Sequence, residues 1–319
     1  MLEFVGGRQP DLWEIFFRQR EICFAEEPWE DWFYAPLRVI ASMLPEHSVL
    51  LTMKYTAMAT WRLTQGVYRI DPTLFHELAR TPLDQQIPVD VLLRLPVWSL
   101  YIELPVTVST FRGLAHGAWV WLERRAAGEI LLYILFDTER DMQTSLDEDV
   151  MFPFFLKLRK GSLPDMLEET FRTGSAELYQ ELKTAVEPVI SVLLYLCSQN
   201  ADLTRNGLPA KPLRPEPVQT RRSGSRMFAA AKVSQWEVGV RMGAALRRAE
   251  ERSGHQNDGE STGRRPIGHI RRAHWHTVLS GPIKNVPAEN RRRELRWMPP
   301  VGVNLLDPDH LQVTVRNIR

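Results

Sequence analysis

The chain has 319 residues, 44% of them hydrophobic and 25% charged, with a formal net charge of +1. That composition excludes disorder throughout, and the length suits about two domains. The small net charge conceals a division: residues 205–319 hold 22 Lys and Arg against 10 Asp and Glu, whereas residues 1–204 hold 18 against 29. Such polarity points to a C-terminal surface for nucleic acid or an acidic protein, or else to two halves that dock and neutralise each other. The longest apolar run, Val189 to Cys197, reaches about half of what a bilayer span needs. The stretch Met1-Leu-Glu-Phe-Val lacks the basic and apolar regions of a secretory signal. Cys23 and Cys197 sit far apart in apolar helical patterns. They read as buried free thiols of a reducing cytoplasm, and their number excludes a zinc site built on cysteine pairs.

In chain order, the first 64 residues read as helical. Asp11 caps an apolar helix after Pro10, Glu27-Pro-Trp-Glu-Asp-Trp-Phe-Tyr starts another, and Leu51 to Leu63 forms a third. The aromatics there are explained by helix packing. Gly66 to Asp71 is a short strand, Pro72 opens a helix to Ala79, and Pro88 to Pro96 holds one or two helical turns. From Trp98 the period changes to two. Segments beginning at Trp98, Gly117, Ile130 and Met151 read as strands, with turn residues such as Gly113 and Gly128 between them. Intervening helices are missing, so the sheet is expected to be antiparallel.

Helices return at Ser162 and at Ser175, the latter running to Cys197 with a kink or join at Pro188. Residues 205–232 are rich in proline and arginine and short of apolar side chains, which reads as a linker or an arm over the surface. Trp236-Glu-Val-Gly-Val resumes order, Arg241 to Arg252 is a basic helix, and Gly254 to Gly263 is a polar loop. Then come Arg265 to His276 and Arg291 to Asn304, two basic–aromatic runs around Gly281-Pro282. They read as the strands and loop of a hairpin.

Nucleotide-binding loops and nucleophile elbows are missing from the sequence. Asp137, Glu139, Asp141 and Asp147-Glu-Asp149 offer oxygen ligands for a hard cation, although strand ends and loops carry solvated carboxylates as a matter of course. His274 and His276 lie two apart on a strand, which puts both imidazoles on one face. Three roles suit them: metal ligation with His269, acid–base cleavage of RNA, or a binding surface. Arg271, Arg272 and Arg296 suit phosphate or carboxylate contacts, and Trp275 and Trp297 suit stacking on bases or a peptide.

Several blocks together resemble the type V-A anti-CRISPR proteins of mobile genetic elements, the larger kind that lowers production of the RNA-guided effector nuclease. They are Gly66-Val-Tyr-Arg-Ile-Asp71, Leu95-Pro-Val-Trp98-Ser-Leu-Tyr101-Ile and Leu193-Leu-Tyr-Leu-Cys197 with Asp202-Leu-Thr and Gly207-Leu-Pro. Gly239-Val-Arg-Met-Gly243 before Leu246-Arg-Arg continues the series. It is densest at Arg271-Arg-Ala-His274-Trp275-His276 and Leu295-Arg-Trp297-Met-Pro299, and closes at Val301-Gly-Val-Asn304. The resemblance implies a protein that recognises the effector polypeptide during translation and causes loss of its messenger.

The expected fold is α+β: N-terminal helices, a central antiparallel sheet and a C-terminal basic β-hairpin region. The expected domains are an acidic one at 1–204, a linker at 205–232 and a basic region at 233–319 docked on the first. The expected function is a cytoplasmic, non-enzymatic inhibitor with no cofactor, no metal, no membrane contact and no catalytic residue. Its partner is a nascent or N-terminal segment of a type V-A effector nuclease, with RNA or the ribosome as further partners. The contacts fall to Arg271, Arg272, His274, Trp275, His276, Arg296 and Trp297. An RNA-cleaving enzyme using the paired histidines and a structural or interaction protein of a mobile element are the alternatives.

Overall fold

In this computed structural model the described residues are 2, 6–7, 11–15, 18, 22, 37–43 and 49–303, less 84–86, 126–127, 142–143, 145–149, 173–174, 217, 222–223, 256–268 and 282–290. The expected helix at Glu27, the loop at 254–263 from residue 256 onward, the acids at 147–149 and Cys23 lie outside them. An eight-stranded sheet forms the centre, in the order β5-β4-β3-β2-β1-β10-β6-β7. Its members are β1 (Gly66–Ile70), β2 (Ser99–Thr110), β3 (Gly113–Arg124), β4 (Ile130–Asp137), β5 (Phe152–Lys157), β6 (Leu203–Arg205), β7 (Leu208–Pro209) and β10 (Ser234–Val238).

The α+β class holds, with one correction to the sheet. β2 to β5 pair antiparallel as the spacing predicts, but β1 runs parallel to both its neighbours, β2 and β10. The sheet is therefore mixed. A parallel pair needs a crossover, and both crossovers exist: a helix and a 3-10 turn separate β1 from β2, while β10 arrives from the far end of the chain.

The two faces of the sheet follow from the period-two alternation of β3 and β4. Ala118, Val120, Leu122, Leu132, Ile134 and Phe136 join the main core. Trp119, Trp121, Leu131, Tyr133 and Leu135 form a second cluster with Leu50, Met53 and Ala57. Both faces of these strands are buried, which is why their sequences read as nearly continuous apolar runs. Over the second face lie α1 (Leu37–Met43) and α2 (Val49–Trp61). The first face is covered by α3 (Pro72–Arg80), the 3-10 turn Val89–Arg94, α4 (Leu163–Phe171) and α5 (Ala176–Cys197).

The long helix α5 is the main buried element. Val186, Val189, Ile190, Val192, Leu193, Leu194 and Tyr195 are all fully covered, each contributing about 1.5–3 kcal/mol of burial energy. Pro188 neither ends nor divides it; the helix is one element from residue 176 to 197. The proline lies half-buried, and burial on both sides outweighs the lost backbone hydrogen bond. Among the described residues no helix is long and apolar enough to cross a membrane.

Residues 205–232 follow the surface and are tied to it at several points. β7 extends the sheet edge, and β8 (Val218–Thr220) pairs with β9 (Gly224–Arg226). Gln65 Nε2 donates to Ala230 O at 2.6 Å, Arg214 donates to Leu95 O at 2.9 Å, and Met227 is buried. Beyond β10 come α6 (Val240–His255), β11 (His269–Arg271), β12 (His274–Ser280), β13 (Arg292–Met298) and β14 (Val301–Val303).

Candidate functional site

The C-terminal hairpin forms as the sequence predicts, with β12 and β13 antiparallel and β11 paired to β14. Trp275 faces Trp297 across the strands, His276 faces Arg296, and Thr277 faces Leu295. Alternation then divides the hairpin. Trp275, Leu295 and Trp297 point inward, at 1%, 0% and 0% exposure, and belong to the main core. His276, Arg296, Arg271 and Arg272 are exposed, and His274 is half-buried. His274 and His276 thus share the outer face, as their spacing requires. His274 Nδ1 lies 3.3 Å from the carbonyl of Arg272.

The tryptophans therefore do something other than the stacking expected of them. Trp297 donates from Nε1 to Thr81 Oγ1 at 3.0 Å and meets Tyr195 edge-on at 6.0 Å. Its backbone is held by Asn200, whose Oδ1 accepts from Trp297 N at 3.1 Å and whose Nδ2 donates to Trp297 O at 2.7 Å. A side-chain carboxamide here replaces a strand partner. Gln199 N donates to Leu295 O at 2.9 Å, and Arg296 Nε donates to Gln199 Oε1 at 2.7 Å. Residues just after α5 thus fasten the hairpin to the body, leaving no ring surface of Trp275 or Trp297 open to a base or peptide. Of the residues expected to bind, Arg271, Arg272, His276 and Arg296 are exposed and His274 is half-buried.

A second convergence was not foreseen from the sequence. Asp71 caps α3 by accepting from Thr73 N at 2.9 Å and Leu74 N at 3.2 Å, and Arg247 NH1 reaches both of its oxygens at 3.0 Å. Asp202 accepts from Arg241 N at 2.9 Å and from Arg241 Nε at 2.7 Å at the start of α6. Gly239 and Gly243 let these parts meet. Gly239 adopts φ +75 against Leu74, and a Cβ on Gly243 would overlap the Asp71 carboxylate. Most of the Gly239–Arg247 block is thus explained by packing of α6 on α3, its arginines included. Both helix N-termini are already occupied by the protein's own carboxylates, which satisfy the free N–H groups found there.

The remaining sequence candidates are placed differently. Asp141 accepts from Thr144 N, and Glu139 accepts from Asp141 N, so both serve a local turn. Asp137 is buried at the end of β4 beside Tyr101 and His116. No group of three or more potential metal ligands occurs among the described residues. Cys197 is buried, and desolvation pushes its thiol well above the usual range. It has little thiolate with which to react.

Comparison with known proteins adds three findings. The model of the AcrVA2-like family, described as the anti-CRISPR type V subtype A2 family, matches residues 68–305. Protein FinQ of Escherichia coli is 28% identical over 277 residues, covering 81% of this chain and 78% of FinQ. The crystal structure of AcrVA2 matches with a TM-score of 0.66 and 19% identity, covering 94% of this chain and 96% of that one. This last likeness is one of fold.

Proposed function

Because the chain belongs to the AcrVA2-like, anti-CRISPR type V subtype A2 family, we propose that it inhibits a type V-A CRISPR system at the level of effector production. In this reading it recognises a nascent or N-terminal polypeptide segment of the effector nuclease and lowers the effector's messenger and protein. The observation that carries the reading is the extent of the family match, which runs from β1 through the hairpin to residue 305. Arg271, Arg272, His276 and Arg296 are exposed on that hairpin. Arginine there suits phosphate or carboxylate groups, so the hairpin is the contact for RNA or the ribosome that keeps the inhibitor close to translation. Residues 1–204 and 233–319 act as one docked unit, since Trp275, Leu295 and Trp297 share a core with α5.

Co-expression with a type V-A effector tests this, with effector protein and messenger both measured. A fall in both is expected, and unchanged levels would sink the reading. Recovery of translating ribosomes by the wild-type chain but not by the Arg271→Glu, Arg272→Glu variant is expected if the hairpin makes the contact. Equal recovery removes its role. One observation favours a second reading: His274 and His276 share an outer face with Arg296, an arrangement compatible with metal-free RNA cleavage. RNA degradation by purified protein that disappears in His276→Ala would support it.

A further inference from the structure

The open part of the second sheet face carries a row of mostly polar residues, of which only Asp137 has been described above. In register across six strands stand Asp137 on β4, Gly117 on β3, Glu103 on β2, Arg69 on β1, Glu237 on β10 and Thr204 on β6. The side chains of Arg69 and Glu103 are 50% and 44% exposed, and Gln235 and Glu237 are exposed too. The opposite side chains of the same strands, Tyr68, Ile70, Trp236 and Val238, are buried. One face of β1 and β10 is therefore core and the other is surface.

The row carries more acid than base, although each carboxylate has a partner within the chain. Its three carboxylates face one arginine among the described residues. Arg69 Nε donates to Glu103 Oε2 at 2.8 Å and its NH1 reaches Gln235 Oε1 at 3.4 Å, while Thr204 Oγ1 donates to Glu237 Oε2 at 3.0 Å. At the far end, Tyr101 OH donates to Asp137 Oδ2 at 3.1 Å, and His116 Nε2 lies 3.4 Å from the same oxygen. The other oxygen, Oδ1, is buried and has no hydrogen-bond partner. Gly117 is required between Glu103 and Asp137, because a Cβ there would collide with the Tyr101 hydroxyl. Tyr101 in turn packs against Trp119 at 4.7 Å, which gives the acidic end an aromatic wall.

We propose that this row is a docking site for an extended polypeptide segment presenting lysine or arginine side chains. The occupant follows from charge: three carboxylates repel RNA phosphates and attract ammonium or guanidinium groups, which bind them through charge-assisted hydrogen bonds. Aromatic rings favour the same cations. The size also fits. Six strands at about 4.8 Å spacing make a row of about 24 Å, the length of roughly seven extended residues. The inference rests on the reading that the partner is a polypeptide, and supplies the place and the chemistry for it.

A fluorescein-labelled heptapeptide of alternating serine and lysine serves as the probe, beside the same peptide with glutamate for lysine. Fluorescence anisotropy with the full chain should show binding of the lysine peptide alone. Glu103→Gln with Glu237→Gln, both at exposed positions, should weaken it about fivefold to tenfold. Asp137→Asn should weaken it further where circular dichroism shows an intact fold. Equal affinity for both peptides, or an affinity untouched by the Glu103/Glu237 pair, overturns the proposal. Should the pair leave peptide affinity unchanged while co-expression still lowers the effector, the site is refuted and the proposed function stands. Lysine-peptide binding that depends on the pair, in a chain without effect on the effector, supports the site and refutes the function alone.

Discussion

Replacing Trp297 by alanine separates a packing role from a binding role at the hairpin. The indole is wholly buried, donates to Thr81 and meets Tyr195 edge-on. Truncating a buried tryptophan to alanine costs about 3–5 kcal/mol through lost transfer energy and the cavity left behind. With an unfolding entropy of about 2.1 cal/mol/K per residue, a chain of this length loses roughly 0.7 kcal/mol per degree. The expected fall in Tm is therefore about 6 °C, read by differential scanning calorimetry. Trp297→Phe keeps most of the packing and loses the bond to Thr81, so it should cost about 1–2 kcal/mol and roughly 2 °C. His276→Ala, at an exposed position, should leave Tm within about 1 °C, since surface changes stay near 0.5 kcal/mol. A Trp297→Ala protein that melts like wild type yet no longer lowers effector levels would refute the anchoring argument. It would return the ring to the binding surface.

Three further outcomes follow from the same packing. Gly243→Ala should destabilise the chain by about 2–4 kcal/mol in urea titration, because the new methyl group displaces the Asp71 carboxylate from Arg247. Asp202→Ala should cost about 2–3 kcal/mol by uncapping α6 and releasing Arg241; a neutral effect would mean that the cap is dispensable. Asp137 should make stability depend on pH with an unusual sign. Burial pushes its carboxyl up to about 6, the opposing influences being His116, the Tyr101 hydroxyl and a hydrogen bond from the Glu139 backbone. The folded chain thus holds this proton where the unfolded chain has lost it. Stability from this group is full below about pH 4 and declines as pH rises to about 6. Chemical denaturation of Asp137→Asn should lack that decline, and parallel pH profiles for the two proteins would remove the cause assigned here.

The sequence carried local structure well and long-range pairing poorly. β2 to β5 were legible because both the alternation and the turn glycines lie within about twelve residues of each strand. The hairpin was legible for the same reason, along with the common face of His274 and His276. The parallel placement of β1 was not. Its partner β10 lies far along the chain, and nothing in five residues such as Gly66 to Ile70 specifies which neighbour they take. The strands within 205–232 are two or three residues long, too short for any period to show. At Pro188 the sequence offers a kink or a join, and no join occurs, because the burial that keeps α5 one element is tertiary. The helix start at Pro72 was readable, but the capping by Asp71 and its meeting with Arg247 across Gly243 required the fold.

Sorting the family blocks by what their side chains touch changes where recognition should be sought. Gly239, Arg241, Gly243 and Arg247 are committed to Leu74, Asp202 and Asp71. Trp275, Leu295 and Trp297 are committed to the core beside α5. These residues build the scaffold of this chain, and packing tolerates many sequences that a contact surface does not. Two sets of exposed charged side chains remain: Arg271, Arg272 and His276 on the outer hairpin, and Glu103 and Glu237 in the acidic row. Their charges are opposite, and no single partner of uniform charge satisfies both. Under the proposed function, a polypeptide emerging beside ribosomal RNA would offer a cationic segment to one and phosphate to the other. If so, the Arg271/Arg272 and Glu103/Glu237 substitutions should reduce effector loss independently, with effects that add in the combined variant.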